Sequence, residues 1–265
     1  DYRLNPEHPP LIKDMAAFPL LFLNLKFPID QPAWTTDANG QWETGWNFIY
    51  HIGNNADQIL LFARLPILLL SLLLGFVIYR FCLKRYGPAT GLLALTFYAF
   101  SPNIIAHSRF VTTDIGIAAF TFFAFIAFFK FIEKPTWTNT GIAAIFFALA
   151  QVAKFSAIIL VPFFIGLAIL KIYFEKKPSE LINRAKKWGV PLIVMLIAAF
   201  GLIWLFYVPH TINMPEPVQD KLIAQSLPGG YYTRYGQYLV QLNNLPILKP
   251  IVQFALGVLM VVNRV

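Results

Sequence analysis

Long apolar segments alternate with short polar ones along most of this chain. About six of them are predicted to be membrane-spanning helices, at residues 59–79, 88–100, 115–132, 141–152, 157–173 and 188–208. Uninterrupted apolar stretches differ from the amphipathic periods of soluble helices, in which one face stays polar. The sequence therefore predicts an all-α polytopic membrane protein with a transmembrane bundle over residues 59–208. The phenylalanine-rich third span is expected to contact lipid.

The residues on either side of the bundle predict two long loops and a further helix. In the first loop, residues 1–58, apolar side chains recur at the spacing of a helix that lies in the membrane plane, namely Leu11, Met15, Phe18, Phe22 and Leu25. The second loop covers residues 209–250, and residues 251–265 begin another apolar helix. Because the chain starts at Asp1 without an initiator methionine, we expect it to be part of a longer protein with another span before Asp1.

Composition supports a membrane protein and excludes other classes. Hydrophobic residues make up 57% of the chain and charged residues 13%, and the mean hydropathy is +0.60. A net charge of +8 could indicate nucleic-acid binding, but the basic residues cluster between apolar segments, where they act as topology signals, so we expect no nucleic-acid partner. A single cysteine, Cys82, excludes an intrachain disulfide.

Lys and Arg are concentrated in alternate connections between the predicted spans. Eleven of them lie in residues 80–87, 130–138 and 171–187, whereas two short intervening connections carry one each, Arg109 and Lys154. The positive-inside rule makes the first set cytoplasmic. Arg109, Lys154 and both long loops are therefore predicted to lie on the non-cytoplasmic side of the cell membrane.

Several polar residues on that side need an explanation. Glu7 and His8 precede the predicted interfacial helix, and a carboxylate next to an imidazole can act as a general base, a metal ligand or a phosphate contact, or simply be solvated. Asp114 is expected to cap the next helix. Arg109 stays protonated and needs an anion, which could be Asp114, Glu7 or a lipid phosphate.

Lys154 and His210 complete the candidate residues. Lys154 can extend its charge to the membrane surface or bind a phosphate, and His210 is an ordinary interfacial residue or a ligand. On one face, Arg109 and Lys154 could hold a phosphate leaving group while Glu7 and Asp114 supply acid, base or metal chemistry. We therefore expect Glu7, Arg109, Asp114 and Lys154 to surround one cavity, opposite Lys84, Lys176 and Lys187.

An ordered set of motifs over about residues 5–175 resembles the bacterial protein O-mannosyltransferase-like glycosyltransferases of family 39, which are related to the lipid A aminoarabinose transferase. The motifs are Glu7-His8-Pro9-Pro10-Leu11, Ala63-Arg64-Leu65-Pro66, Lys84-Arg85-Tyr86-Gly87, Ser101-Pro102, His107-Ser108-Arg109 with Thr112-Thr113-Asp114, and Lys154-Phe155-Ser156. The resemblance implies the membrane fold called GT-C. It also implies inverting transfer of a hexose or pentose from a polyprenyl-phosphate donor to a protein, lipid or glycan acceptor.

The resemblance also implies roles for single residues. Asp114 and Glu7 are the candidate catalytic acids, and Arg109, Lys154 and His8 are candidate contacts to the donor phosphate, although the aminoarabinose branch has lysine where His8 stands. Glu7 and His210 are candidate ligands of a divalent metal ion, the one cofactor implied. The family's principal acidic residue precedes the Glu-x-Pro-Pro motif, so we expect residues 1–265 alone to be inactive.

Two other functions fit the same charges. A transporter or flippase of lipid-linked saccharides would also place cations near lipid phosphate, but it would carry ionisable residues deep within its spans, and these spans are nearly free of charge. A noncatalytic membrane scaffold would leave the four charged residues on one face unexplained.

Overall fold

The computed structural model describes residues 2–174, 181–226 and 237–262, which are helical or irregular and contain no strand. Lys176 and Lys177, which contribute to the predicted orientation, lie outside these residues. The helices are α1 (Leu11–Ala17), α2 (Pro32–Thr35), α3 (Gln41–Trp46), α4 (Ala56–Tyr86), α5 (Pro88–Ala99), α6 (Pro102–Ser108), α7 (Thr113–Glu133), α8 (Trp137–Ala153), α9 (Leu160–Phe174), α10 (Leu181–Thr211), α11 (Glu216–Ser226), α12 (Gln237–Asn243) and α13 (Lys249–Val262).

Several of these helices are long and apolar enough to cross a membrane. The described residues contain four such segments, at Ala56–Tyr86, Thr113–Glu133, Phe155–Phe174 and Ala185–Thr211. Helices α5 and α6 meet at an angle of 61°, and together they would make a fifth span. The chain is thus an all-α polytopic membrane protein, as its hydropathy predicts.

Helix α8, which contains the predicted span at residues 141–152, is shorter than the helices that could cross a membrane. The Thr136 side chain accepts a hydrogen bond from the Asn139 N–H at its start, and the extended backbone of Lys154 (φ −158°, ψ 136°) ends it after 17 residues. At about 1.5 Å per residue such a helix is shorter than a bilayer core. The predicted break at Lys154 is confirmed.

The chain forms two compact units. The first unit contains residues 11–30 and 42–119, and its α4 and α5 form an antiparallel pair joined by Gly87, whose φ of +91° suits glycine. The pair is closely packed because Gly75 has no side chain, so the Tyr98 ring lies against its backbone. The Tyr98 hydroxyl donates a hydrogen bond to the Ser71 carbonyl at 2.7 Å.

The second unit contains residues 1–10, 31–41 and 120–265, and aromatic rings fill its core. Phe128 stacks on Phe164 with ring centroids 3.9 Å apart. Phe120, Phe123 and Phe128 are buried within the protein, so the prediction that the phenylalanine-rich helix contacts lipid is wrong for these three residues. Hydropathy does not distinguish a lipid neighbour from an apolar helix, since both are equally apolar.

Two predicted helix boundaries are also wrong. The apolar pattern from Leu11 to Leu25 does not form one helix, because α1 ends at Ala17 and a 3₁₀ turn with Pro19 follows it. Phe18 and Phe22 in that turn are exposed. At the other end of the bundle, His210 lies inside α10, which continues through Pro209 to Thr211 rather than ending at residue 208.

Candidate functional site

The connection between α6 and α7 brings together a histidine and an aspartate. Nδ1 of His107, in the last turn of α6, lies 3.3 Å from Oδ2 of Asp114 and 3.4 Å from the Thr112 hydroxyl oxygen. The two side chains are 44% and 42% exposed, so solvent or a substrate can reach both. Asp114 is the second residue of α7 rather than its N-cap. The start of a helix still favours its negative charge.

Such a pair can accept a proton. A carboxylate within hydrogen-bonding range of an imidazole fixes the orientation of the ring and stabilises its protonated form. Either Asp114 itself or His107 supported by Asp114 can therefore act as a general base towards a hydroxyl group. The sequence placed His107 in the same motif as Asp114, but only the structure pairs the two side chains.

Two arginine side chains lie near the aromatic ring of Phe110 in the same connection. The guanidinium carbon of Arg109 lies 6.0 Å from the centroid of Phe110, and that of Arg64, in α4, lies 5.6 Å from it. Both arginine side chains are exposed. Cations at this distance are attracted by the electrons of the ring. The guanidinium group of either arginine can bind two oxygens of an anion such as a phosphate.

Arg64 is a candidate that sequence reasoning missed. It was noted only as part of the Ala63-Arg64-Leu65-Pro66 motif. The available signal was an arginine inside an apolar helix, because a charge there is costly unless it binds a partner or reaches the membrane surface. Its neighbour Phe110 lies 46 positions away in the sequence and could not be recognised from spacing.

In the second unit, Tyr2 fixes the segment that contains Glu7 and His8. The Tyr2 hydroxyl donates to the Pro6 carbonyl at 2.8 Å and lies 3.3 Å from the Tyr207 hydroxyl. The Tyr2 N–H donates to the His210 carbonyl at 3.0 Å. Tyr2 is almost fully buried, and burial raises the pKa of its hydroxyl above the usual value. The segment before Glu7 is therefore attached to the end of α10 that carries His210.

Arg3 gives the same segment a second attachment. Its guanidinium group donates to the carbonyls of Trp34 at 2.8 Å and Asn213 at 3.4 Å, and it stacks on the Trp34 ring at 4.2 Å. Only 7% of Arg3 is exposed, and this burial lowers the pKa of its guanidinium. These bonds join residues from three distant parts of the sequence, which is why the sequence did not indicate them.

The residues predicted to bind a metal ion lie in this unit. Glu7 is partly buried and His8 is exposed, and the His210 ring is stacked on Phe206 at 6.3 Å. The described part of the chain contains no cluster of three or more His, Cys, Asp or Glu side chains that could hold a metal ion. The metal-binding role of Glu7 and His210 stays a prediction.

Lys154 lies in the turn between α8 and the 3₁₀ segment Phe155–Ile159. The turn is fixed from inside by Gln151, which is buried and whose side-chain amide donates to the Ala157 carbonyl at 2.8 Å. Lys154 itself is partly buried. It shares the second unit with Glu7, whereas Arg109 and Asp114 belong to the first. That all four share one cavity stays a prediction.

Comparison with known proteins decides the class of this chain. The family model of the dolichyl-phosphate-mannose-protein mannosyltransferases matches residues 47–204. The chain belongs to this family. No curated protein and no solved structure matches it.

Membership in the mannosyltransferase family makes the chain a membrane glycosyltransferase. The family implies a lipid-linked sugar donor and a protein acceptor. The matched region contains Arg64, His107, Arg109, Asp114 and Lys154. It does not include Glu7, His8 or His210, so the roles of those three residues depend on the motif resemblance alone. An enzyme is accordingly favoured over a transporter or a scaffold.

Proposed function

We propose that this mannosyltransferase-family protein transfers a sugar from a polyprenyl-phosphate donor to an acceptor hydroxyl on the non-cytoplasmic side of the cell membrane. One observation carries the proposal. Within the region that matches the family, a single connection between two helices presents the His107–Asp114 pair and the Arg109 guanidinium. Such a connection offers a base for the acceptor and a cation for the donor phosphate.

In the proposed reaction the acceptor oxygen attacks the anomeric carbon of the sugar. A bond forms between these two atoms, and the bond from the anomeric carbon to the phosphate oxygen breaks, so the configuration at that carbon inverts. The lipid phosphate leaves with the electron pair. The proton of the acceptor hydroxyl passes to the His107–Asp114 pair, with Asp114 as the proposed catalytic carboxylate.

The positively charged residues are proposed to stabilise the leaving phosphate. A lipid phosphate becomes a better leaving group when fixed positive charges stabilise its developing negative charge. Arg109 has this role in the proposal, with Arg64, which also lies near the Phe110 ring, as a second cation. Lys154 and His8 are proposed as further phosphate contacts, and Glu7 as a further acidic group.

The side of the membrane is proposed from the distribution of charge. The amino groups of Lys171 and Lys187 lie 5.5 Å and 4.9 Å from the Trp188 ring, near the end of α9 and the start of α10. Lys154 lies at the opposite end of the segment Phe155–Phe174. If the cluster around Trp188 is cytoplasmic, as the positive-inside rule indicates, Lys154 faces outward.

The test uses sealed vesicles of defined orientation that contain the full-length protein, because residues 1–265 alone are expected to be inactive. We expect transfer from a polyprenyl-phosphate mannose to a hydroxyl-containing peptide when the non-cytoplasmic face is accessible, and none from a nucleotide-activated mannose. An Asp114→Asn variant, prepared in the same way, serves as the inactive control. Equal transfer from the nucleotide donor, or transfer only from the cytoplasmic face, would contradict the proposal.

A further inference from the structure

The second unit contains a cleft of about 400 Å³ that involves none of the residues proposed for transfer. It lies between the last two turns of α10, the start of α11, the end of α12 and the start of α13. The residues that matter for its chemistry are Trp204, Ile212, Glu216, Asn243, Asn244 and Lys249. Its volume is within the range of about 300–1,000 Å³ that is usual for small-molecule sites.

The polar groups in the cleft include both signs of charge. Glu216, in the first turn of α11, contributes a carboxylate, and Lys249, the first residue of α13, contributes an ammonium group. Asn243 and Asn244 add side-chain amides. These groups can accept hydrogen bonds from hydroxyl groups and donate hydrogen bonds to them.

Asn243 is held in place by a chain of buried amides. Only 1% of it is exposed. Its Nδ2 donates to the side-chain oxygen of Gln219, and its Oδ1 accepts from Nε2 of Gln253 at 3.0 Å. Gln219 in turn donates to the Met214 carbonyl at 2.8 Å, which fixes the connection between α10 and α11. Because both amide atoms of Asn243 are bonded within the protein, this chain of amides fixes the end of α12 beside the exposed Asn244 before a ligand arrives.

Part of the lining of the cleft is apolar, and one hydrogen bond joins two of its residues. The Trp204 indole N–H donates to the Ile247 carbonyl at 2.6 Å, which ties α10 to the segment before α13. Ile212 and Pro246 also line the cleft. The cleft therefore offers aromatic and aliphatic surface together with several hydrogen-bonding groups.

We propose that this cleft binds a neutral saccharide unit. A sugar ring has hydroxyl groups that both donate and accept, and a C–H face that packs against an apolar wall. A phosphate would be attracted by Lys249 but repelled by the Glu216 carboxylate, and an acyl chain would remove water from both groups without replacing their hydrogen bonds. A hydroxyl-rich ligand without net charge can form hydrogen bonds with Glu216, Asn244 and Lys249. This inference goes beyond the proposed function, because it requires neither a donor nor a transfer step.

The experiment uses the purified protein in a detergent without sugar groups, since a maltoside would compete. The probe is methyl α-D-mannoside, followed by calorimetry, with a diazirine derivative of the same sugar for photolabelling. We expect labelled peptides from residues 204–216 and 243–250. Glu216→Gln should weaken binding about tenfold because a charge-assisted hydrogen bond to a sugar hydroxyl becomes a neutral one, and Asn244→Leu should do so because it removes the amide.

The controls distinguish a loss of sugar binding from misfolding and from a loss of transferase activity. Tyr238, on α12, is exposed and does not line the cleft, so Tyr238→Ala should bind the mannoside like the wild type. Melting temperatures of all three variants show whether they fold. Unchanged binding in folded Glu216→Gln and Asn244→Leu, labelling elsewhere, or no binding at all overturns the proposal. Displacement of the sugar by inorganic phosphate or by a serine-containing peptide overturns it as well. None of these results affects the transfer assay in vesicles.

Discussion

His107 and Asp114 stand in direct contact, with Nδ1 of the imidazole 3.3 Å from Oδ2 of the carboxylate. They come from different helices, and the four residues between α6 and α7 place one opposite the other. Because each side chain is more than two-fifths exposed, the contact contributes little to stability. Its expected importance is chemical, since it joins a carboxylate and an imidazole within the region that defines the family.

Removing the carboxylate charge should strongly reduce transfer. Asp114→Asn keeps the shape of the side chain but removes the proton acceptor, so we expect the turnover number to fall by about 10²- to 10⁴-fold. His107→Gln should reduce it as well. If the two residues act as a pair, the double variant should be little worse than Asp114→Asn alone. Turnover measured with saturating donor checks this, and fully additive losses would show that the residues act independently.

Arg109 should be needed for turnover rather than for folding. Arg109→Lys keeps the charge but loses the paired hydrogen bonds, so turnover should fall, and Arg109→Ala should be worse. The loss of a contact made in the transition state costs on the order of 2–4 kcal/mol, or roughly 30- to 1,000-fold in rate. Arg85 is a matched control, because its guanidinium lies 5.3 Å from the Phe81 ring in the basic end of α4. Near wild-type turnover in a folded Arg109→Ala protein would show that Arg109 does not bind the donor phosphate and has a structural role only.

The attachment of the segment before Glu7 can be tested at Tyr2. Tyr2→Phe removes the hydroxyl that bonds the Pro6 carbonyl, so the free energy of unfolding should fall by about 1–3 kcal/mol. Turnover should fall too, because Glu7 loses its fixed position. Tyr98→Phe is the control, since it loses a comparable hydrogen bond to Ser71. It should lower the melting temperature only, and an equal loss of turnover in both variants would argue against a positioning role for Tyr2.

Two glycines in α10 and α13 should respond to alanine in opposite ways. A Cβ at Gly257 would overlap the Phe155 ring, which is buried, whereas a Cβ at Gly201 would meet open space. Gly257→Ala should therefore destabilise the protein by about 1–3 kcal/mol. Gly201→Ala should be neutral, or stabilising by about 0.5–1 kcal/mol, because alanine favours the helix. Thermal unfolding in detergent checks both, and an unaffected Gly257→Ala would show that Phe155 can move aside.

Lys13 should make stability depend on pH in the alkaline range. Burial lowers the pKa of its amino group from 10.5 to about 8, although the neighbouring Asp14 charge acts in the opposite direction. Between these two values the unfolded chain binds more protons than the folded one, so the free energy of unfolding should rise as the pH rises. Below about pH 8 the Lys13 amino group is protonated in both the folded and the unfolded chain, so the full unfavourable free energy of burying its charge remains. Lys13→Met should flatten the dependence of the melting temperature on pH in this window, and an unchanged profile would contradict the prediction.

The positions of most apolar helices could be predicted from the sequence. Hydropathy is a property of each local segment, so the predicted spans at residues 59–79 and 115–132 lie within α4 and α7. The break at Lys154 followed from the same local pattern. Arg109 and Asp114 were recognisable because charge is costly between apolar segments. The ordered motifs already indicated the family.

The tertiary structure decided which side chains meet. The Tyr2 and Tyr207 hydroxyls are in contact across 205 positions, and Arg64 reaches Phe110 from another helix. Such contacts depend on how helices pack, and packing is not encoded in the hydropathy of any one segment. Phe128 is buried against Phe164 for the same reason. An apolar sequence alone determines that a segment leaves water, whereas the neighbouring helices determine whether it meets lipid, another ring or a ligand.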